Sequence, residues 1–226
     1  MNRNNVSILG RSRESALATN KVLKNTYLLL GATFLFSSFT AYLSFAANAR
    51  PLNPLLFIVG VYGLMFLTNA LRNSVMGLVS VFAFTGFMGY AVGPILNFYI
   101  AHFSNGSQIV TTALGGTGLI FFALSGYVLT TRKDFSYLNG FLFVAVMVAF
   151  LAMIANIFMQ IPAINLFISA AFVLISSGLI LFQTSEIIHG GETNYIMATI
   201  SLFVSIYNLF ISLLSLLSAF SGSSRD

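Results

Sequence analysis

The chain has 226 residues, of which 58% are hydrophobic and 7% charged, with a formal net charge of +5. Soluble domains carry about 25% charged residues, so this composition excludes a water-facing surface and points to the bilayer as solvent. The absence of cysteine excludes disulfides, thiolate catalysis and Cys-ligated metals, and the length allows one membrane domain.

A membrane-crossing helix needs about 20 apolar residues. Seven stretches meet this, at 26–47, 55–71, 76–100, 109–131, 138–159, 163–183 and 196–219. The apolar runs are continuous rather than alternating, which favours helices over barrel strands. The first run follows a basic segment and ends at "ANA" (47–49), like a signal peptide. Its apolar core exceeds the usual 7–15 residues, and it is read as an uncleaved helix.

Basic residues set the expected orientation. Arg3, Arg11, Arg13, Lys21 and Lys24 precede the first span, Arg72 follows the second, and Arg132 and Lys133 follow the fourth. With the N-terminus inside, these eight are cytoplasmic, against Arg50 and Arg225 outside. The positive charge is thus assigned to cytoplasmic loops, not to nucleic acid. In a bacterium the helical class implies the inner membrane, with the C-terminus in the periplasm.

In the third span, Gly86, Gly89 and Gly93 share one helical face, followed by Pro94 and Asn97. Small residues on one face let another helix approach, whereas proline removes a backbone donor and kinks a helix. Two readings follow: close helix packing, or a hinge at Gly93, Pro94 and Asn97. In the fourth span, "LGGTGL" (114–119) lacks the GKS/T ending of a phosphate loop and is read as packing.

The last two spans carry polar stripes. Ser201, Ser205, Asn208, Ser212 and Ser215 fall on one side of the seventh. Ser169, Ser176 and Gln183 fall on one side of the sixth. Polar groups in hydrocarbon turn toward protein or a wet cavity. The stripes are therefore either hydrogen-bond glue or an aqueous path.

Between them lies "FQTSEIIHGGETNYI" (182–196), with Glu186, His189 and Glu192. His189 and Glu192 have the H-x-x-E spacing of metal ligands, but two glycines between them favour a turn. The other histidine, His102, is predicted at the opposite end, so no metal or cofactor is expected. No G-x-S-x-G or other nucleophile constellation occurs. Glu186 lies one turn after Gln183, at the cytoplasmic mouth of the sixth span.

Four segments carry a family resemblance: "AFTGFMGYAVGPILNFY" (83–99), "YVLTTRKDFSYLNGFLF" (127–143), "ISSGLILFQTSEIIHGGETNYI" (175–196) and "VSIYNLFISLL" (204–214). In these the chain resembles the Bax inhibitor-1 family over all seven spans. "KVLKNTYLLL" (21–30) and "HGGETNYI" (189–196) are similar to its proteobacterial inner-membrane branch, described as modulators of the FtsH protease. The resemblance implies an all-α integral membrane fold, a seven-transmembrane-helix bundle with the last helix enclosed. It further implies one of two activities. One is a calcium or cation leak governed by two aspartates, whose positions match Gln183 and Ser205. Neither is acidic here, and a shared-proton pair requires two carboxyls, so that sensor does not operate in the family's form. A leak lined by Gln183, Glu186, Ser201, Ser205, Asn208 and Ser212 remains the alternative. The other activity is interaction with FtsH, an ATP-dependent membrane protease, as substrate and modulator. Beside that partner stand the lipid bilayer and other inner-membrane proteins. Residues 1–25 are polar and basic and are expected to form a flexible cytoplasmic tail for the protease to engage, through Arg3, Arg11, Arg13 and Lys21. The membrane domain is expected over 26–219, with a short periplasmic end at 220–226.

Overall fold

In a computed structural model the chain is described over the backbone of residues 3–222 and the side chains of residues 17–221. Seven helices follow one another: α1 (Arg3–Ala46), α2 (Pro54–Leu71), α3 (Val75–His102), α4 (Gly106–Thr131), α5 (Leu138–Met159), α6 (Pro162–His189) and α7 (Tyr195–Gly222). Each contains a stretch long and apolar enough to cross a membrane. Proline opens α2 and α6, where its missing N–H is no loss. Left-handed residues Arg132, Gln160 and Gly190 close α4, α5 and α6.

The apolar span over 163–183 is the core of a longer helix: α6 runs on to His189, so Glu186 sits in its last turn, one turn beyond Gln183, and the glycine turn follows. The expected tail over 1–25 is helical from Arg3 onward, and Val22 and Leu23 pack against the buried core. Lys21 and Lys24 are exposed on that helix. The side chains of Arg3, Arg11 and Arg13, and residues 223–226 of the short C-terminal end, lie outside the described residues.

Helix α7 is the centre of the bundle. It touches every other helix except α5, among the described residues. Ile196, Ile200, Leu202, Phe203, Leu209 and Leu214 are all but sealed from the surface. Helix α5 packs on α6 alone and presents Phe141, Phe143, Met147 and Phe158 outward, as a lipid-facing helix does.

The glycine face of α3 brings α1 close. A Cβ on Gly93 would lie 2.6 Å from both the Ser44 side chain and the Phe45 amide nitrogen. One on Gly86 would lie 2.6 Å from the Phe36 ring, and one on Gly89 would strike the Ser37 carbonyl and Thr40. Asn97 Nδ2 donates to the Phe45 carbonyl at 3.0 Å, where α1 nears its end. Pro94 is buried, and α3 runs through it as one helix. Gly93 and Asn97, two of the three residues singled out as a hinge, thus belong to the α1–α3 contact. Close packing is a principal source of helix association in lipid, where no hydrophobic force separates helix from tail.

Replacing Gly89 by leucine should therefore lower unfolding stability in detergent by about 1–3 kcal/mol through overpacking. Gly140, whose Cβ position is open, should tolerate alanine with no loss. Equal melting behaviour of the Gly89→Leu and wild-type proteins would contradict this account of the α1–α3 contact.

Candidate functional site

The two polar stripes meet. Ser205 Oγ lies 3.0 Å from Gln183 Oε1 and 3.1 Å from the Ser201 carbonyl, and its single proton serves these two acceptors. Further along the same seam, Ser169 Oγ donates to Ser215 Oγ at 2.9 Å. Between these rungs Ser176 is buried, and its hydroxyl has no protein partner among the described residues. Ser212 is buried on α7, and Asn208 is half-buried. The seam is bonded at two heights, as glue requires.

Above the Gln183–Ser205 rung the helices part around a cavity of about 150 Å³. Gln183, Glu186, Glu192 and Ser201 supply its polar wall, and Phe182, Ile187 and Ala198 its apolar one. Of the sequence-selected residues, Gln183, Glu186, Ser201 and Ser205 thus gather at one end of the α6–α7 pair. Asn208 and Ser212 lie one to two turns further along α7.

In the turn "HGGETN" every residue but Thr193 has an assignable job. The Gly191 amide donates to the Glu186 carbonyl at 2.9 Å, and the Gly190 amide to that of Ile187 at 3.4 Å. With Gly190 at φ 79°, this is a Schellman stop, which glycine adopts without strain. Gly191 has no side chain because the Glu186 carboxylate lies against it. Glu192 Oε1 accepts from the Asn194 amide at 2.7 Å. Asn194 Oδ1 accepts from the amides of Ile196 and Met197, capping α7. Its Nδ2 donates to the Arg72 carbonyl at 3.0 Å and to Asn73 Oδ1 at 2.9 Å. One asparagine thus caps a helix and ties the turn to the α2–α3 loop. Sequence reasoning passed over it, although an Asn just before an apolar run is a helix-start signal.

His189 faces the α4–α5 loop. Its Nε2 lies 3.2 Å from the Arg132 carbonyl, and its Nδ1 lies 2.9 Å from the Ser185 carbonyl and 3.2 Å from Ser185 Oγ. The Phe135 amide donates to that same Ser185 Oγ at 2.9 Å. Beside them, Asp134 Oδ1 accepts from the Ser136 amide at 2.8 Å, which holds its carboxyl below the usual carboxylate value. Lys133 is raised by its hydrogen bond to Tyr127, over whose ring Nζ sits at 5.7 Å. His189 and Glu192 therefore serve two different neighbours and do not converge as a ligand pair. Ser185, buried and bonded across 50 residues of sequence, was missed because serine is common in these spans.

The residues 19–222 match the family model described as "Inhibitor of apoptosis-promoting Bax1". The chain belongs to this family. It is 56% identical over 205 residues to "Modulator of FtsH protease YccA" of Escherichia coli K12, covering 91% of this chain and 93% of that one. The same identity and coverage relate it to "Inner membrane protein YccA" of E. coli O6:H1. A Pseudomonas aeruginosa relative named as uncharacterized is 56% identical over 86% of this chain and 87% of its own.

Two measurements test the site's wiring. Ser205→Ala should cost about 1 kcal/mol of stability in detergent. Combined with Gln183→Leu the total should fall short of the sum, because the pair acts as one unit; strict additivity would break the rung. Separately, His189→Ala should speed amide hydrogen exchange at residues 132–136 and leave the Asn194-capped start of α7 protected. Unchanged exchange in that loop would mean that His189 does not hold it.

Proposed function

We propose that this protein is a multi-pass inner-membrane protein that binds an FtsH-type membrane protease and modulates it, and that it is not itself an enzyme. The observation that carries this reading is 56% identity, over 91% of the chain, to a relative named for that role. The basic residues support an N-terminus in the cytoplasm and a C-terminus in the periplasm. The start of α1 then lies on the side where an ATP-driven protease works.

A mechanism follows from the fold. The protease grips the N-terminal end of α1 and pulls. Extraction must separate α1 from the glycine face of α3 and expose α7, which five helices bury. The pull stalls, the protease is occupied, and other membrane substrates are spared. A calcium leak governed by two acids gains no support here. The pair at those positions is an amide and a hydroxyl at 3.0 Å, neither of which exchanges a proton near neutral pH.

The test is a chain lacking residues 1–16, which keeps the core contacts of Val22 and Leu23. It should insert normally, have a longer half-life in cells, and lose most of the protease recovered when the full-length chain is captured from native membranes. Rapid turnover of the shortened chain would refute the handle. Failure of the full-length chain to recover the protease would refute the function.

A further inference from the structure

Among the described residues the backbones of α1 and α4 stay apart and meet through the Tyr27 and Phe121 rings, 6.1 Å between centroids; the gap beside that contact is a second cavity, of about 660 Å³. Gly31 and Ser38 line it from α1, Gly118 and Phe122 from α4, and Phe203 and Tyr207 of α7 form its floor. Gly31, Ser38 and Phe122 are at the molecular surface, so the cavity is a cleft that opens sideways. On α1 its lining runs from Tyr27 to Phe45. Eighteen residues of helix rise about 27 Å, close to the roughly 30 Å of hydrocarbon in a bilayer.

Such a cleft does not stay empty, because unfilled apolar walls forfeit their dispersion contacts. Nor does it hold water, which needs two to four polar partners. Its wall is overwhelmingly apolar, and of its few hydroxyls that of Thr117 is already bonded to the Ala113 carbonyl at 2.7 Å. The filler is therefore hydrocarbon. Width decides its kind. At the end nearest Lys24 the Tyr27 and Phe121 rings close to 6.1 Å between centroids, so a helix about 10 Å across cannot lie along the whole cleft. Charge decides its head. Gly31, Ser38 and Phe45 recur every seven residues along the lining, and Lys24 lies seven before Gly31. Lys24 thus stands exposed on the same face of α1, one turn beyond Tyr27.

We propose that the α1–α4 cleft binds an acyl chain of an anionic phospholipid from the leaflet on the Lys24 side, with the headgroup phosphate held by Lys24. A Cβ built on Gly31 or Gly118 meets nothing within 4 Å, so both glycines border open space in the cleft. One lysine near a membrane surface favours an anionic headgroup by about fivefold.

The experiment is native mass spectrometry of the full chain released from nanodiscs of mixed phosphatidylglycerol and phosphatidylethanolamine. Wild type should retain phosphatidylglycerol, about fivefold over its share of the nanodisc lipid. Lys24→Gln should keep a lipid but lose the preference. Gly31→Leu with Gly118→Leu fills open space and should lose the lipid while melting as wild type does. Lipid-free wild type, or undiminished retention by the filled variant, overturns the proposal. If the filled variant does not fold, a photo-crosslinking phenylalanine analogue at position 122 decides in native membranes. Adducts to lipid support the site, and adducts to a polypeptide assign the cleft to a partner's helix instead.

Discussion

Hydrocarbon offers no hydrogen bonds, and α7 is buried by five helices inside it. Every polar atom that α7 carries must find its partner within the bundle or go without. That constraint explains the pairing of Ser205 with Gln183, of Ser215 with Ser169, and of Thr199 with carbonyls of Thr26 and Tyr195. Each bond fixes which face of α7 meets which neighbour, a choice that apolar packing alone leaves loose. The small hydroxyls do this at little cost, since each also bonds back to its own helix when no neighbour is near, as Thr117 and Ser177 do.

The ends of the bundle obey a different rule. Outside hydrocarbon, helix termini expose carbonyls and amides that side chains satisfy. At the basic end, three loops are stitched by four residues. Asn194 holds the α2–α3 loop, Ser185 and His189 hold the α4–α5 loop, and Gly190 turns the chain between α6 and α7. The stretch that holds three of the seven acidic and histidine side chains is thus a clasp between loops. Its glutamates are placed by geometry. The Glu186 carboxylate lies against the bare Gly191, and Glu192 orders the turn that presents Asn194.

Span number and position were legible because a bilayer tests hydropathy residue by residue, without regard to what packs where. The end of α6 was legible from the glycines that follow it, whereas the burial of Thr184, Ser185 and Glu186 was not, because hydropathy does not see which neighbours surround a polar side chain. The stripes were legible as faces, since spacing fixes a side of a helix. Which serine would meet Gln183, and which would be left as Ser176 is, depends on the relative heights of two helices. The glycines of α3 showed that something approaches closely, and only the structure names α1. Polarity suggested a flexible leader up to residue 25, but Val22 and Leu23 form an apolar pair on one helical face, and that pair reaches the core.

The same glycine chemistry has opposite uses on the two sides of α1. Toward α3, Gly86, Gly89 and Gly93 admit its backbone so closely that a methyl group would collide. Toward α4, Gly31 and Gly118 line one cleft, and a methyl group on either would meet nothing. Helix α1 is therefore clamped on one side and lipid-accessible on the other. For a protein whose proposed role is to be gripped at the start of α1, this asymmetry matters. A pull along α1 must break the α3 contact, which is strong because it is close, before the rest of the bundle yields. A lipid chain in the α4 gap adds dispersion contacts to α1 that no helix of this chain supplies, and so raises the resistance that makes the protein a slow substrate.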